Sequence, residues 1–284
     1  MFPLRPPREE ESARIAALLS VHAPEPVAED RIRRGWSAPG VDMERDSRVA
    51  VEEGEVVGFA AIAVEGGQTW IEIHGKPAPE LIDWATTLAR GRIYSGSWQQ
   101  NDEVQAALLE RGFSLVRHSH RMAIDLGEGL PEPRWPDGIG VRGFREDDAK
   151  VAYETHMETF EDSWGHVRQP YEEWAHWAVE RPDFDPELFV LATDGDDLAG
   201  ISRCRIHETE REVGWVSVLG VRRLWRGKGL GRALLLESFR RLAASGCRRA
   251  VLGVDASSLT GAHKLYESAG MHVVSTFDIY ELSA

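Results

Sequence analysis

The chain has 284 residues, 42% of them apolar and 28% charged, with a formal net charge of −14. Such a chain suits two domains with real cores; its acidic balance argues against nucleic acid as a partner and mildly favours a cationic small substrate. No run approaches 18 uninterrupted apolar residues, so no membrane span is expected, and two cysteines, Cys204 and Cys247, make neither a disulfide framework nor a metal site.

Met1 to Arg8 lacks an apolar stretch and is not read as a secretory signal. Strands are expected at Ser47 to Glu53 and Val56 to Val64, around the turn Glu53-Gly54-Glu55, and at Thr69 to Ile73. Then come a helix from Glu80 to Arg90, a short strand from Arg92 to Tyr94, a helix from Asn101 to Arg111 and a strand from Phe113 to Asp125. Leu126 to Gly140 is rich in Gly and Pro, has no apolar period and reads as a linker.

The second half repeats this order. Ile139 to Arg142 is a short strand; Asp147 to Phe160 is a helix with Asp147 or Asp148 placed to cap it; Tyr171 to Glu180 is a helix after Pro170, with Trp174 and Trp177 on one face as core. Strands Leu188 to Thr193 and Leu198 to His207 flank the turn Asp194 to Asp197. Strand Glu212 to Val221, helix Leu230 to Ala244, strand Arg249 to Asp255, helix Leu259 to Ser268 and a last strand from Met271 to Leu282 follow. Gly112-Phe113 matches Gly270-Met271, a spacing of about 158 residues that implies duplication. The expected layout is α/β with mixed sheets, in two tandem domains, 1–126 and 139–284, joined by 127–138.

The informative stretch is Arg226-Gly227-Lys228-Gly229-Leu230-Gly231, between a strand and a helix. Its glycines let the backbone turn tightly and aim N–H groups inward, and N–H groups at a helix start bind anions. Arg222, Arg223 and Arg232 stand nearby, with no carboxylate from Val221 to Leu236. A P-loop is excluded because Gly229 follows Lys228, and a dinucleotide fingerprint because Arg232 occupies its third glycine position. In the first half the equivalent turn is His74-Gly75-Lys76-Pro77-Ala78-Pro79, where two prolines lack N–H donors, and Leu108 stands where the second half has Tyr266. The first domain therefore reads as a degenerate copy.

The pattern Arg226-x-x-Gly229-x-Gly231, with Val218-Leu219-Gly220-Val221 before it and Ala262 to Met271 after it, resembles the GNAT superfamily of N-acetyltransferases. The tandem layout is similar to that of mycothiol synthase and related actinobacterial two-domain acetyltransferases. The resemblance implies acetyl-CoA as cosubstrate, a small-molecule primary amine as acceptor, and the cytoplasm as compartment. It implies a sheet that splays beyond Leu219, Gly220 and Val221, whose strand pairs with the pantetheine arm and polarises the thioester carbonyl. By the same resemblance Arg226, Gly227, Lys228, Gly229, Leu230, Gly231 and Arg232 hold the pyrophosphate, and Tyr266 is the general acid for the departing thiolate.

Many members carry a glutamate base six residues ahead of the matching valine. Here that position is Trp215. Glu212 and Ser217 on the same strand are candidates for the base, the latter through a water relay, and Glu161, Asp162 and His166 stay open as base or as amine contacts. Glu161, Asp162, His166 and Trp215 are expected to line the acceptor site. His263 reads as surface, and His118 and His120 lack a third ligand, so no metal is expected. Two further readings stay open: a CoA-binding sensor without turnover and, within the same chemistry, mycothiol synthesis or acetylation of a peptide N-terminus.

Overall fold

The computed structural model describes residues 2–258 and 261–282. Two compact units emerge, Met1–His120 with Ser275–Ala284, and Arg121–Val274. In chain order the first half gives β1 (Leu4–Arg5), α1 (Ser12–Ser20), α2 (Glu29–Trp36), α3 (Met43–Asp46), β2 (Ser47–Glu52), β3 (Glu55–Glu65), β4 (Gln68–Gly75), α4 (Ala78–Leu88), β5 (Arg92–Trp98) and α5 (Asp102–Glu110), with β6 (Phe113–Asp125) closing the series. The second half gives β7 (Ile139–Arg142), α6 (Ala149–Phe160), α7 (Tyr171–Ala178), β8 (Phe189–Asp194), β9 (Asp197–Ile206), β10 (Val213–Val221), α8 (Leu230–Ala244), β11 (Arg249–Asp255) and α9 (Ala262–Ser268), closing with β12 (His272–Leu282).

Each unit is a mixed sheet. The first runs β1-β2-β3-β4-β5-β12, antiparallel except for the β4–β5 pair. The second runs β6-β11-β10-β9-β8-β7, with β10 and β11 parallel. The sequence division at 126 and 139 kept each closing strand with its own half. In the structure both are long enough to change units: Ser275 onward belongs with the first, and β6 from Arg121 onward with the second. Within the first unit this brings His118 Nδ1 to 2.7 Å from buried Asp278 Oδ1, and His120 Nδ1 to 3.2 Å from Thr276 Oγ1.

The helices lie where apolar spacing demands. On α8, Leu230, Ala233, Leu234, Leu235, Phe239 and Leu242 are buried, each large side chain contributing about 1.5–3 kcal/mol by leaving water. On the opposite sheet face Tyr153, Met157, Trp174 and Ala178 of α6 and α7 pack on Phe189, Leu191, Ile201 and Val218. Trp174 belongs to this core; Trp177, edge-on to His176, does not. Asp148 does not cap α6. It accepts from Arg145 N at 2.7 Å and pairs with Arg142, closing a short 3-10 turn. The helices α1 to α3 were not foreseen; α2 buries Ile32 alone, so it shows no apolar stripe. Of the helix expected from Leu259, Ala262–Ser268 is helical, while Leu259 and Thr260 lie outside the described residues.

Candidate active site

Strands β10 and β11 pair only over Val213↔Arg249, Gly214↔Ala250 and Trp215↔Val251. On its other side β10 stays paired with β9 as far as Val221↔Gly200. The strands therefore part at Val216, earlier than the expected parting beyond Leu219 to Val221. Among the described residues, β10 from Val216 to Val221 has no strand on that edge, and its backbone groups there are open to an added strand.

A bulge lies in the freed stretch: Val216 faces Cys204 and Val218 faces Arg203, leaving Ser217 without a partner. Its effect is visible in packing. Val216 and Val218 are two apart, yet Val216 packs with α8 and α9 and Val218 with α6 and α7. Gly220 is required next to the bulge, because a Cβ there would stand 2.3 Å from Thr159 Oγ1.

Beyond β10 a 3-10 turn, Arg223–Trp225, leads into the glycine-rich loop. Gly229 is the N-cap of α8 with φ +86°, a left-handed conformation that side chains resist by about 1–2 kcal/mol. Among the described residues no protein acceptor meets the N–H groups of Gly227 through Arg232. Exposed Lys228 and half-buried Arg232 likewise have no ion pair among them. The loop thus gathers free donors and positive charge at the start of a 15-residue helix, a fitting seat for a diphosphate.

Arg226 is different from what its place in the motif implies. Its Nε donates to Val221 O at 2.9 Å, Nη2 to Thr159 O at 3.3 Å, and Nη1 to Asp162 Oδ2 at 3.2 Å. The guanidinium ties the loop to the end of β10 and to α6 rather than facing a ligand. Nor is the positive island unopposed in space. Asp162 also takes Arg223 at 2.6 Å, Glu161 stands 3.3 Å from Arg223, and Glu158 takes Arg222 at 2.8 Å. Asp162 and Glu161, expected in the acceptor site, stand as counter-charges of the loop. Arg223 and then Arg226 hold the Asp162 carboxyl below its ordinary range.

Glu212 lies before β10, exposed and 3.2 Å from Arg248. At the strand's rise it stands about 16 Å from Ser217, too far to serve as base at the freed edge. Trp215 is stacked between cations, with the guanidinium of Arg121 3.7 Å and that of Arg205 5.0 Å from its ring centre. It fills the family's carboxylate position with a π face. Burial lowers the pKa of half-buried His166. Tyr266, on α9, is 8% exposed, and burial pushes its phenol up to about 12. Its hydroxyl has no hydrogen-bond partner among the described residues.

Two residues of this face were missed from the sequence. His156 on α6 accepts from Trp174 Nε1 at 2.9 Å, and Arg203 on β9 has no ion pair or hydrogen bond among the described residues. A signal existed for the second: a lone cation inside the buried run Ile201, Ser202, Cys204.

These features match known proteins. The profile of the Acetyltransferase (GNAT) family matches residues 149–271. The chain is 33% identical to a mycothiol acetyltransferase of Thermobispora bispora, over 61% of this chain and 60% of that protein. The corresponding protein of Geodermatophilus obscurus is 30% identical over 86% of this chain and 82% of its own. The chain belongs to the GNAT family of acetyltransferases. Against the first relative the match spans three fifths of its length. A solved GCN5-related N-acetyltransferase from Sphaerobacter thermophilus superposes with a TM-score of 0.78 at 27% identity, covering 99% of this chain and 95% of that one. No helix among the described residues is long and apolar enough to cross a membrane.

Proposed function

We propose that Arg121–Val274 catalyses acetyl transfer from acetyl-CoA to a primary amine of a small molecule, both reactants being held together on the freed edge of β10. The observation that carries this reading is the pairing of that edge with a loop of unsatisfied N–H donors. Acetyl-CoA supplies the activated acetyl group as a thioester. Gly227 to Arg232 receive the diphosphate through main-chain donors, with Lys228 and Arg232 adding charge. Arg226 keeps the loop in place. Leu219 to Val221 pair with the pantetheine arm, and N–H groups of β10 face the developing oxyanion, each such donor being worth about 2.7–4 kcal/mol in measured systems. Holding amine and carbonyl in line contributes on the order of 7–11 kcal/mol at best.

Tyr266 keeps its proton at any working pH and donates a hydrogen bond to the departing sulfur. Full transfer to a thiolate of ordinary pKa, about 8.5, runs uphill from such a phenol, so donation is its main part. No carboxylate occupies the usual base position, and Ser217 on the bulge is the group placed to pass the amine's proton to water. The compartment that supplies acetyl-CoA is the cytoplasm. The relatives named mycothiol acetyltransferase make mycothiol synthesis one candidate reaction; a peptide N-terminus is another acceptor of the same chemistry.

A CoA-binding sensor without turnover is favoured by one observation, Trp215 in place of an acid. Thermal shift with CoA and acetyl-CoA, followed by thiol release across an amine panel, separates the readings. Stabilisation with release supports the enzyme. Stabilisation without release supports the sensor, and no stabilisation by either ligand removes both.

A further inference from the structure

Arg203 faces Val218 on one side and Phe189 on the other in the strand register. Cross-strand partners share a face, and both these partners pack into the core made with α6 and α7. The guanidinium of Arg203 therefore lies on that face, beside the bulge at Ser217. Val218 Cα is about 5 Å from Arg203 Cα across such a pair.

Its neighbours cannot neutralise it. Arg181 is bonded to Asp183 at 2.8 Å and Glu208 at 2.7 Å, and Arg205 to Glu208 at 2.9 Å. Both carboxylates are thus engaged by other guanidinium groups, and among the described residues Arg203 has no ion pair. Burial lowers the Arg203 pKa to about 10, with Arg181 and Arg205 adding repulsion. Half-buried and without a protein partner among the described residues, the guanidinium is available to an anion from solution.

A second donor points the same way. The Trp174 indole can only donate, so His156 Nδ1 is unprotonated and the neutral ring carries its hydrogen on Nε2. Burial first, then Arg203 and His166, lowers the His156 pKa to about 3, so the ring stays neutral. Nε2–H has no protein acceptor among the described residues, and neither it nor the Arg203 nitrogens are among the sealed, unpartnered atoms, so both open to solvent. A fixed N–H donor and a free guanidinium thus stand on the acceptor side of β10.

We infer that the acceptor amine carries an anionic oxygen group, a carboxylate or a phosphate, held by the Arg203 guanidinium and the His156 Nε2–H while its nitrogen reaches the freed edge of β10. This rests on the acetyltransferase reading and names the substrate class for it. A guanidinium fork matches either group in two-point contact, as an ammonium does not. The acidic chain as a whole points to a cationic substrate, but the local sign at this face is positive, and a zwitterion satisfies both.

The test compares matched acceptors in thiol-release kinetics: free amino acids beside their amides, and O-phosphoethanolamine beside ethanolamine. The expected result is a preference of about 10- to 100-fold in kcat/KM for one charged member of a pair, the scale of a hydrogen-bonded charge. Which pair shows it separates carboxylate from phosphate. Arg203→Met collapses the ratio towards one, and Arg203→Lys restores part of it. A CoA thermal shift equal to wild type certifies that each variant is folded. Neutral acceptors turning over as well as charged ones, or a ratio unmoved in Arg203→Met, overturns the inference while leaving the acetyltransferase reading in place. If CoA binds and no amine turns over, the acetyltransferase reading fails; calorimetric titration of the same acids onto the CoA-loaded protein then decides the anion site, which falls if none binds in an Arg203-dependent way.

Discussion

The turn after β4 and the loop after β10 occupy the same place in the same series of elements, yet only the second leaves a run of main-chain donors unmet among the described residues. Both strands outrun their parallel partner: β4 pairs with β5 from Gln68 to Ile71 and continues to Gly75, just as β10 leaves β11 after Trp215. The backbones then diverge. Lys76 N donates to Val57 O at 2.9 Å, Pro77 and Pro79 have no N–H to give, and Lys76 O lies so close to Gly58 that a Cβ there would stand 2.1 Å away. The first unit turns its loop inward onto β3, whereas the second leaves its donors outward and unmet. Similarly, Leu108, fully buried, stands where Tyr266 does. The shared sheet architecture rests on buried apolar faces, whereas the two loops differ in a few main-chain hydrogens.

The comparison breaks most sharply at glycines. Gly229→Val leaves space around the new Cβ, since nothing lies within 4 Å, but forces a β-branched residue into φ +86° and turns the donors away. Acetyl-CoA affinity is expected to fall at least about 100-fold, the worth of two or more charge-assisted hydrogen bonds, with a loss of stability limited to backbone strain of about 1–3 kcal/mol. Gly75→Val should do the reverse, because its Cβ would stand 2.2 Å from Val57 O: lower stability, unchanged affinity. Calorimetry and denaturant titration of both variants check this, and a Gly75 variant that loses affinity would contradict the assignment of binding to the second unit.

The aromatic at the closing helix sharpens the same contrast. Tyr266→Phe should lower kcat about 100-fold, at the lower end of general-acid effects, while the acetyl-CoA dissociation constant stays put. Leu108→Tyr should alter only stability, by placing a hydroxyl in a closed core. Wild-type turnover in Tyr266→Phe would end the role given to the phenol.

A smaller effect lies in the acid range. The folded pKa of His156, about 3, is far below its ordinary 6.5. Between those values the unfolded chain binds a proton that the native chain does not, so stability rises with pH across that window and is lost as pH falls. His156→Gln keeps an acceptor for the Trp174 indole and removes the titration. Its unfolding free energy should therefore depend less steeply on pH from about 6.5 down to 3, read by urea titration at several pH values. An unchanged slope would place the acid sensitivity elsewhere.

These contrasts also show what a sequence can carry. The bounds of α8 and β11 follow from apolar spacing and from Gly229, and the loop from glycines without nearby carboxylates, all of it local information. What stayed hidden is non-local. The carboxylates that oppose the loop come from the end of α6 and the turn after it, more than sixty positions away, so the local count of charges around Arg226 misjudged its surroundings. The bulge at Ser217 leaves no composition signal, yet it decides which residues of β10 face α6 and α7. The exchange of β6 and β12 between units was invisible because each strand reads the same in either sheet.

The smallest expected effect concerns those carboxylates, and it asks whether the loop of the second unit is damped by its own chain as that of the first is by its prolines. Asp162 is exposed, so its pairs with Arg223 and Arg226 should add little to stability. Removing its charge in Asp162→Asn should raise acetyl-CoA affinity by roughly threefold at low salt, because one negative charge leaves the approach of a diphosphate. The gain should fade as salt rises, since the screening length shrinks from about 10 Å at 0.1 M to about 3 Å at 1 M. Calorimetric titration at the two ionic strengths measures both quantities. Weaker binding in Asp162→Asn would instead make Asp162 a brace for Arg226, acting with Val221 O and Thr159 O to keep the loop open.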